Sequence, residues 1–146
     1  MSEVLLDASF LIALLFPDHQ HHEVARSWLI GLPESDSFAT DAITEGALIR
    51  YSVRLGLSAT DIHESLLSVH NHPRWCFWPD VLSYCDISLL GVRGHRQVTD
   101  TYLAALARHY GGRVLTFDRP FASRCRDAVI RLFRFEGVGG VVGARG

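Results

Sequence analysis

The sequence predicts an α/β fold, in which a single domain has a central parallel sheet with helices on both faces. Short apolar segments bounded by turn residues alternate along the chain with longer segments of helical periodicity. This alternation is typical of parallel strands joined by right-handed crossovers. The 146 residues also suffice for one domain with a substantial core, and they contain no internal repeat.

The predicted strands are short apolar segments rich in β-branched or aromatic residues. They lie at residues 3–7, 37–39, 75–78, 113–117 and 129–133. Each of the first and fourth strands closes with an aspartate, Asp7 or Asp118. We therefore expect both carboxylates at the same edge of the sheet, because the carboxyl ends of parallel strands share one edge.

The predicted helices show apolar residues at helical spacing, with capping or breaking residues at their ends. They lie at residues 8–16, 18–29, 41–56, 59–70, 81–90, 98–110 and 121–126. Pro17 ends the first helix, Asp18 is expected to cap the second, Thr99 is expected to cap the helix at 98–110, and Gly111 is expected to stop it. A folded domain at 1–133 and a flexible tail at 134–146 are predicted, since five of the last 13 residues are glycine.

Composition favours a cytoplasmic location. No apolar segment approaches the ~20 residues that span a bilayer, so no membrane association is expected. The start of the chain lacks a basic region, and Asp7 interrupts its apolar stretch, which argues against a signal peptide. The three cysteines show no CxxC spacing, and they are expected to be free thiols in a reducing compartment.

Charge is distributed unevenly along the chain. Residues 1–90 carry 4 arginines and 12 acids, whereas residues 91–146 carry 10 arginines and 4 acids. All 14 residues counted as lysine or arginine are arginine. The planar guanidinium group of arginine can bind phosphate through paired N–H donors. The arginine-rich second half is compatible with nucleic acid, although codon usage in a GC-rich genome explains it as well.

Four acids are candidates for a shared site. Asp7 and Asp118 end strands, Asp100 lies in a first helical turn, and Glu45 lies beside the apolar stripe of the third helix. Carboxylates that share a crevice raise one another's pKa unless a cation compensates them. Oxygen-only ligation favours Mg²⁺, with Mn²⁺ as a substitute, over Zn²⁺. The pattern alone leaves several metal-dependent α/β families open.

Four segments resemble the PIN domain, and more narrowly the VapC toxins of bacterial toxin–antitoxin pairs. They are 4–9 (VLLDAS), 40–45 (TDAITE), 98–107 (VTDTYLAALA) and 115–118 (LTFD). The resemblance covers about residues 3–133, and the acids that it carries over as catalytic and metal-binding residues are Asp7, Glu45, Asp100 and Asp118. Ser9 and Thr116 match small hydroxyl positions beside these acids.

The resemblance implies a Mg²⁺-dependent endoribonuclease that inhibits translation by hydrolysing structured RNA, such as loops of tRNA or rRNA. Asp7 and Asp100 would be the main metal ligands, and Glu45 and Asp118 would bind a second ion or order water. Attack by water would leave a 5′-phosphate and a 3′-hydroxyl. A VapB-like antitoxin and a homodimer are the implied partners.

Arg96 and Arg119 flank the acidic segments and are the predicted RNA contacts. The alternative function is an inert PIN-type scaffold that only binds RNA or protein, which the intact acids disfavour. A phosphoacceptor receiver domain is set aside because the chain has no lysine for its site. A haloacid-type phosphatase is set aside because DAS, and not DxDxT, follows the first strand.

Overall fold

The computed structural model describes residues 2–134 and 142–145, which form one six-stranded sheet flanked by helices. The strands are Glu3–Leu6 (β1), Ser37–Thr40 (β2), Trp75–Phe77 (β3), Arg113–Thr116 (β4), Val129–Arg134 (β5) and Val142–Arg145 (β6). The α-helices are Ala8–Leu15 (α1), His22–Ile30 (α2), Ala42–Arg54 (α3), Ala59–His70 (α4), Val98–Tyr110 (α5) and Arg119–Arg124 (α6). Among these helices, none combines the length and the apolar character that crossing a bilayer requires.

The sheet has the strand order β3-β2-β1-β4-β5-β6. The first five strands in sequence pair in parallel, which confirms the predicted α/β architecture, whereas β6 pairs antiparallel with β5 and makes the sheet mixed. From β1 the chain adds β2 and β3 on one side and then returns to add β4 on the other. The order therefore reverses between β1 and β4, and ligands of open α/β sheets bind outside the carboxyl ends of strands at such a point.

The core lies on both faces of the sheet. Successive side chains of β1 point to opposite faces, so that Leu5 packs against the helix α5, whereas Val4 and Leu6 pack on the face covered by α1. Leu106 of α5 and Phe10 of α1 are fully buried in these two layers. Because β1 is enclosed on both faces, the position of its last residues is fixed by packing.

A third cluster joins α3 to α4 through Leu48, Ile62 and Leu66. Of Thr40 and Asp41, which are both plausible helix starts in the sequence, Asp41 is the N-cap of α3. The Asp41 carboxylate accepts a hydrogen bond from the backbone N–H of Thr44 at 2.8 Å, and Thr44 Oγ1 accepts one from the N–H of Asp41 at 3.3 Å. This reciprocal cap sets the first turn of α3, where Glu45 lies.

Two helix predictions are wrong, one in kind and one in its start. The helix predicted at 81–90 is a loop with one 3₁₀ turn at Tyr84–Asp86. Ser83 donates its backbone N–H to the carboxylate of Asp86, and its hydroxyl accepts from the N–H of Cys85, so local side-chain bonds replace the helical ones. The second helix begins at His22 and not after Asp18, because residues 18–21 form turns.

Part of the tail predicted at 134–146 forms a strand that the sequence did not predict. Arg134 ends β5, and Val142–Arg145 forms β6 with Arg131 opposite Arg145. Residues 135–141 and 146 lie outside the described residues, so the domain boundary itself stays a prediction. Glycine content suggested flexibility, but the antiparallel ladder supplies backbone hydrogen bonds that do not depend on side chains.

Candidate active site

Asp7 lies at the end of β1, where it also caps α1. Its Oδ1 accepts a hydrogen bond from the N–H of Ala8 at 2.8 Å, and its Oδ2 accepts one from Thr116 Oγ1 at 2.7 Å. Ser9 Oγ donates to the same Oδ2 at 3.3 Å. Both hydroxyls that the sequence places beside the acids therefore hold the Asp7 carboxylate in one orientation.

The charge of Asp7 is poorly solvated. Burial raises its pKa above the ordinary range, the hydrogen bonds from Thr116, Ala8 and Ser9 oppose the shift, and the charge of Asp118 adds to it. A buried carboxylate with an acidic neighbour is a position at which a bound cation restores charge balance.

Asp118 follows β4, which is the neighbour of β1 in the sheet, and it caps α6 by accepting from the N–H of Phe121 at 3.0 Å. Its own N–H donates to Thr116 Oγ1 at 3.0 Å. Thr116 therefore links the two strand-end acids, since its hydroxyl accepts from the Asp118 backbone and donates to Asp7. This is the convergence that the strand pattern predicted.

Asp100 approaches the pair from the first turn of α5. The helix begins at Val98 without a side-chain cap, so the predicted cap by Thr99 is wrong. Burial, followed by the charges of Asp7 and Asp118, raises the pKa of Asp100 from its ordinary value of 3.8 to about 6. Arg124 Nη2 donates to Asp100 Oδ2 at 3.1 Å and opposes this shift.

The Arg124–Asp100 pair leads to a prediction. Changing Arg124 to Gln is expected to move the pKa of Asp100 above about 6, because the variant removes the positive charge while burial and the two acids remain. The pKa is measured by NMR titration of the Asp100 carboxyl carbon in metal-free protein. Arg113→Gln, at the amino end of β4, is the control, and equal Asp100 pKa values in both variants would contradict the role of Arg124.

Glu45 makes no hydrogen bond or ion pair with the three aspartates within residues 2–134 and 142–145. Its Oε2 accepts a hydrogen bond from Thr40 Oγ1 at 2.6 Å and lies 2.8 Å from His70 Nε2. His70 in turn stacks on Trp75, with ring centroids 3.9 Å apart, and Trp75 Nε1 donates to Thr40 Oγ1. The carboxylate is held by a closed group of side chains from β2, α3, α4 and β3.

The groups that could bind a metal ion here are carboxylates at one edge of the sheet, and carboxylate oxygens suit Mg²⁺. Among the described residues no three acidic, histidine or cysteine side chains are placed to enclose a metal ion by themselves. Mg²⁺ is usually held by one or two carboxylates, with waters and substrate phosphates completing its shell. Asp7 and Asp100 fit such a partial site, with Asp118 beside them.

The structure adds residues that the sequence did not indicate. Arg124 and His70 contact acids that lie 24 and 25 positions away, and nothing in the local pattern of either residue marks that contact. Arg96 is exposed in a 3₁₀ turn before α5, and Arg119 is exposed at the first position of α6. Their contact with RNA stays a prediction.

Comparison with known proteins agrees with this geometry. The family model of the PIN domain matches residues 4–126. The chain is 43% identical over 127 residues to Ribonuclease VapC29 of Mycobacterium tuberculosis, covering 87% of this chain and 94% of that protein. It is 33% identical over 141 residues to Ribonuclease VapC39 of the same organism, covering 88% and 97%.

A solved structure shares the fold. The crystal structure of Mycobacterium tuberculosis VapC20, described as a sarcin-ricin loop cleaving toxin, matches with a TM-score of 0.61 and 15% identity, covering 83% of this chain and 94% of VapC20. At this identity the match supports the architecture, and the relatives above support the family. The chain belongs to the PIN-domain family and, within it, to the VapC ribonucleases.

Proposed function

We propose that this protein is the toxin of a VapBC-type pair, a Mg²⁺-dependent endoribonuclease that hydrolyses loops of structured RNA and so inhibits translation. The observation that carries the proposal is the convergence of Asp7, Asp100 and Asp118 beside the β1–β4 switch point, where burial and mutual charge raise the pKa values of Asp7 and Asp100. Few positive charges lie beside these three acids. A group of this kind is more typical of a site that binds a cation and a phosphodiester than of a surface without function.

Each acid has a distinct part in the proposed mechanism. Asp7 and Asp100 would hold the ion, and Thr116 keeps the Asp7 carboxylate oriented through its 2.7 Å hydrogen bond. Bound Mg²⁺ supplies positive charge at the scissile phosphate and acidifies the attacking water. Asp118 uses Oδ1 to cap α6, which leaves Oδ2 to orient the attacking water. Glu45, anchored by Thr40 and His70, would hold a second ion or further water.

The proposed partners are a VapB-like antitoxin and a second copy of the chain in the cytoplasm. The names of the relatives support the antitoxin, since VapC denotes the toxin of such a pair. Apolar side chains exposed around the end of α3 and on α4 support a protein partner on that side. They are Val53, Leu55, Leu57 and Leu67.

Removal of metal tests the proposed chemistry. Purified protein free of antitoxin is expected to cut structured RNA in Mg²⁺ or Mn²⁺ and to stop in EDTA, with activity restored by excess Mg²⁺. The products should carry a 5′-phosphate and a 3′-hydroxyl, and sequencing of new 5′ ends identifies the target. Cleavage that continues in EDTA would contradict the metal mechanism, whereas binding without cleavage in every metal would favour the inert scaffold.

A further inference from the structure

Four arginines surround one cavity beside the acidic site. The cavity has a volume of about 340 Å³ and is bounded by α6, β5 and β6. Its charged lining consists of Arg119, Arg126, Arg131 and Arg145, with Ser123 between them. Among the described residues no acidic side chain lines it, so we refer to it as the arginine cavity.

The four guanidinium groups lack carboxylate partners in the described part of the chain. There the arginines in ion pairs are Arg108 and Arg124, which contact Asp127 and Asp100. Arg131 and Arg145 instead approach the ring of Phe133, with their guanidinium carbons 5.7 and 5.3 Å from its centroid. Four like charges around one space repel one another, and an anion in the cavity relieves that repulsion.

One of these groups has an unmet hydrogen-bonding requirement. The Nε of Arg131 is shielded from solvent and has no hydrogen-bond partner within residues 2–134 and 142–145. Buried donors are rarely left unpaired, because the desolvation cost is not recovered. Guanidinium groups bind phosphate through paired N–H donors, so an oxyanion in the cavity would offer acceptors to Arg131 and to its neighbours.

Sheet register places the arginine cavity next to the acids. Thr116, which holds Asp7, lies opposite Arg131 in the β4–β5 ladder, and Arg131 lies opposite Arg145 in the β5–β6 ladder. Neighbouring strands are about 4.8 Å apart, so the two arginines extend outward from the site by one and two strand spacings. Arg119 follows Asp118 directly and also lines the cavity.

We propose that the arginine cavity binds backbone phosphates of the RNA substrate next to the scissile bond. The inference rests on the proposed ribonuclease function and names a second part of its substrate site. An RNA chain whose scissile phosphate lies at Asp7 and Asp100 would continue along the sheet edge past β4 and over the arginine cavity. This holds for either 5′-to-3′ direction of the RNA. Phosphates recur at every nucleotide, which suits a row of arginines that requires no particular base.

Salt dependence of RNA binding tests this site. Arg126→Ala, Arg145→Ala and the double variant are compared with wild type and with Arg113→Ala, an exposed arginine at the amino end of β4. A labelled single-stranded RNA is titrated in EDTA, so that binding is measured without cleavage, at salt concentrations from about 50 to 200 mM. Thermal melting of each variant checks that the fold is retained.

Each cavity variant should lower the slope of log K against log salt by about 0.7, and the double variant by about 1.4. The affinity advantage of wild type over the double variant should therefore shrink about sevenfold across this salt range. Arg113→Ala should keep the wild-type slope. In Mg²⁺, the double variant should show a raised KM and an unchanged kcat, because its acids are intact.

A folded double variant with the wild-type RNA slope would overturn the inference. Loss of binding to a poly-glutamate peptide with unchanged RNA binding would also overturn it, in favour of an acidic protein segment. Failure of the ribonuclease proposal is recognised separately, because a wild-type protein that cuts no RNA in Mg²⁺ can still show the predicted slopes. Those slopes would then support a phosphate site in a protein that binds RNA without cutting it.

Discussion

Replacing Asp7 or Asp100 by Asn is expected to lower RNA cleavage by about 10²–10³-fold, the loss seen when one pre-organised electrostatic group is removed from a site. Each change removes a negative charge from the proposed ion site and keeps the size of the side chain. Cleavage of a structured RNA under single-turnover conditions measures the effect. Asp61→Asn, on the exposed side of α4, is the matched control and should retain full activity.

The same substitutions should stabilise the metal-free protein at neutral pH. Folding raises the pKa of Asp100 from 3.8 to about 6. Above that pH the carboxyl is ionised in both states, and the charge is less favourable in the folded state, so it lowers the stability of the fold. A shift of this size corresponds to on the order of 3 kcal/mol, and each kcal/mol is about 2–4 °C in Tm for a chain of this length. The advantage of Asp100→Asn should disappear below about pH 4, where the wild-type carboxyl is protonated in both states.

Together the two results separate function from folding. A variant that loses cleavage and gains stability has lost a charge that was retained for chemistry. Loss of activity accompanied by a lower Tm at pH 7 would instead show that Asp7 or Asp100 contributes to the fold. Retained cleavage in either variant would remove that aspartate from the catalytic group.

Cleavage at limiting Mg²⁺ is expected to fall about tenfold per pH unit below pH 6, the second large effect. In the proposed mechanism, ion binding requires ionised Asp100, and the ionised fraction falls tenfold per unit once the pH lies below the pKa of about 6. Burial raises the pKa of Asp7 as well, so its protonation steepens the fall. The measurement is the initial rate against pH at fixed Mg²⁺, in buffers of constant ionic strength.

Two controls make the pH profile specific. Far-ultraviolet circular dichroism should show a folded protein across the range, because raised carboxyl pKa values favour folding as the pH falls. In Arg124→Gln the midpoint should move to higher pH, since Arg124 opposes the shift at Asp100. A midpoint near pH 4 in the wild type would show that Asp100 titrates as an ordinary carboxyl and would contradict the compact acidic site.

The sequence predicted the parts of the site that depend on strand ends. Apolar segments ending in Asp7 and Asp118 were sufficient, because parallel strands bring their carboxyl ends to one edge and the structure places these acids on neighbouring strands. Asp100 was predicted from its position in a first helical turn, and its proximity to the other two follows from the packing of α5 against the sheet. These three positions could be predicted from the periodicity of apolar residues and from the acids at the ends of strands and at the start of a helix.

Contacts between distant elements could not be predicted in this way. The pairing of Glu45 with His70 depends on how α3 packs against α4, and the pairing of Asp100 with Arg124 depends on which side of the short helix α6 faces α5. The segment at 81–90 has the apolar content of a helix, but it is a loop in which Ser83 and Asp86 satisfy the backbone locally. The sequence did not predict β6 because this segment is rich in glycine, and glycine content does not show that a segment pairs antiparallel with a strand such as β5.

The hydrogen bond between Thr116 and Asp7 has a consequence during synthesis of the chain. It joins residues 109 positions apart, and Asp118, which completes the aspartate group, lies beyond it. Contacts between residues so far apart in sequence form late, because the entropy cost of ordering the intervening segment comes before the contact contributes any stabilisation. A ribosome-bound chain that has released only β1 to β3 contains Asp7 and Glu45 but no β4 beside them. The group of three aspartates is therefore incomplete until most of the chain has emerged from the ribosome.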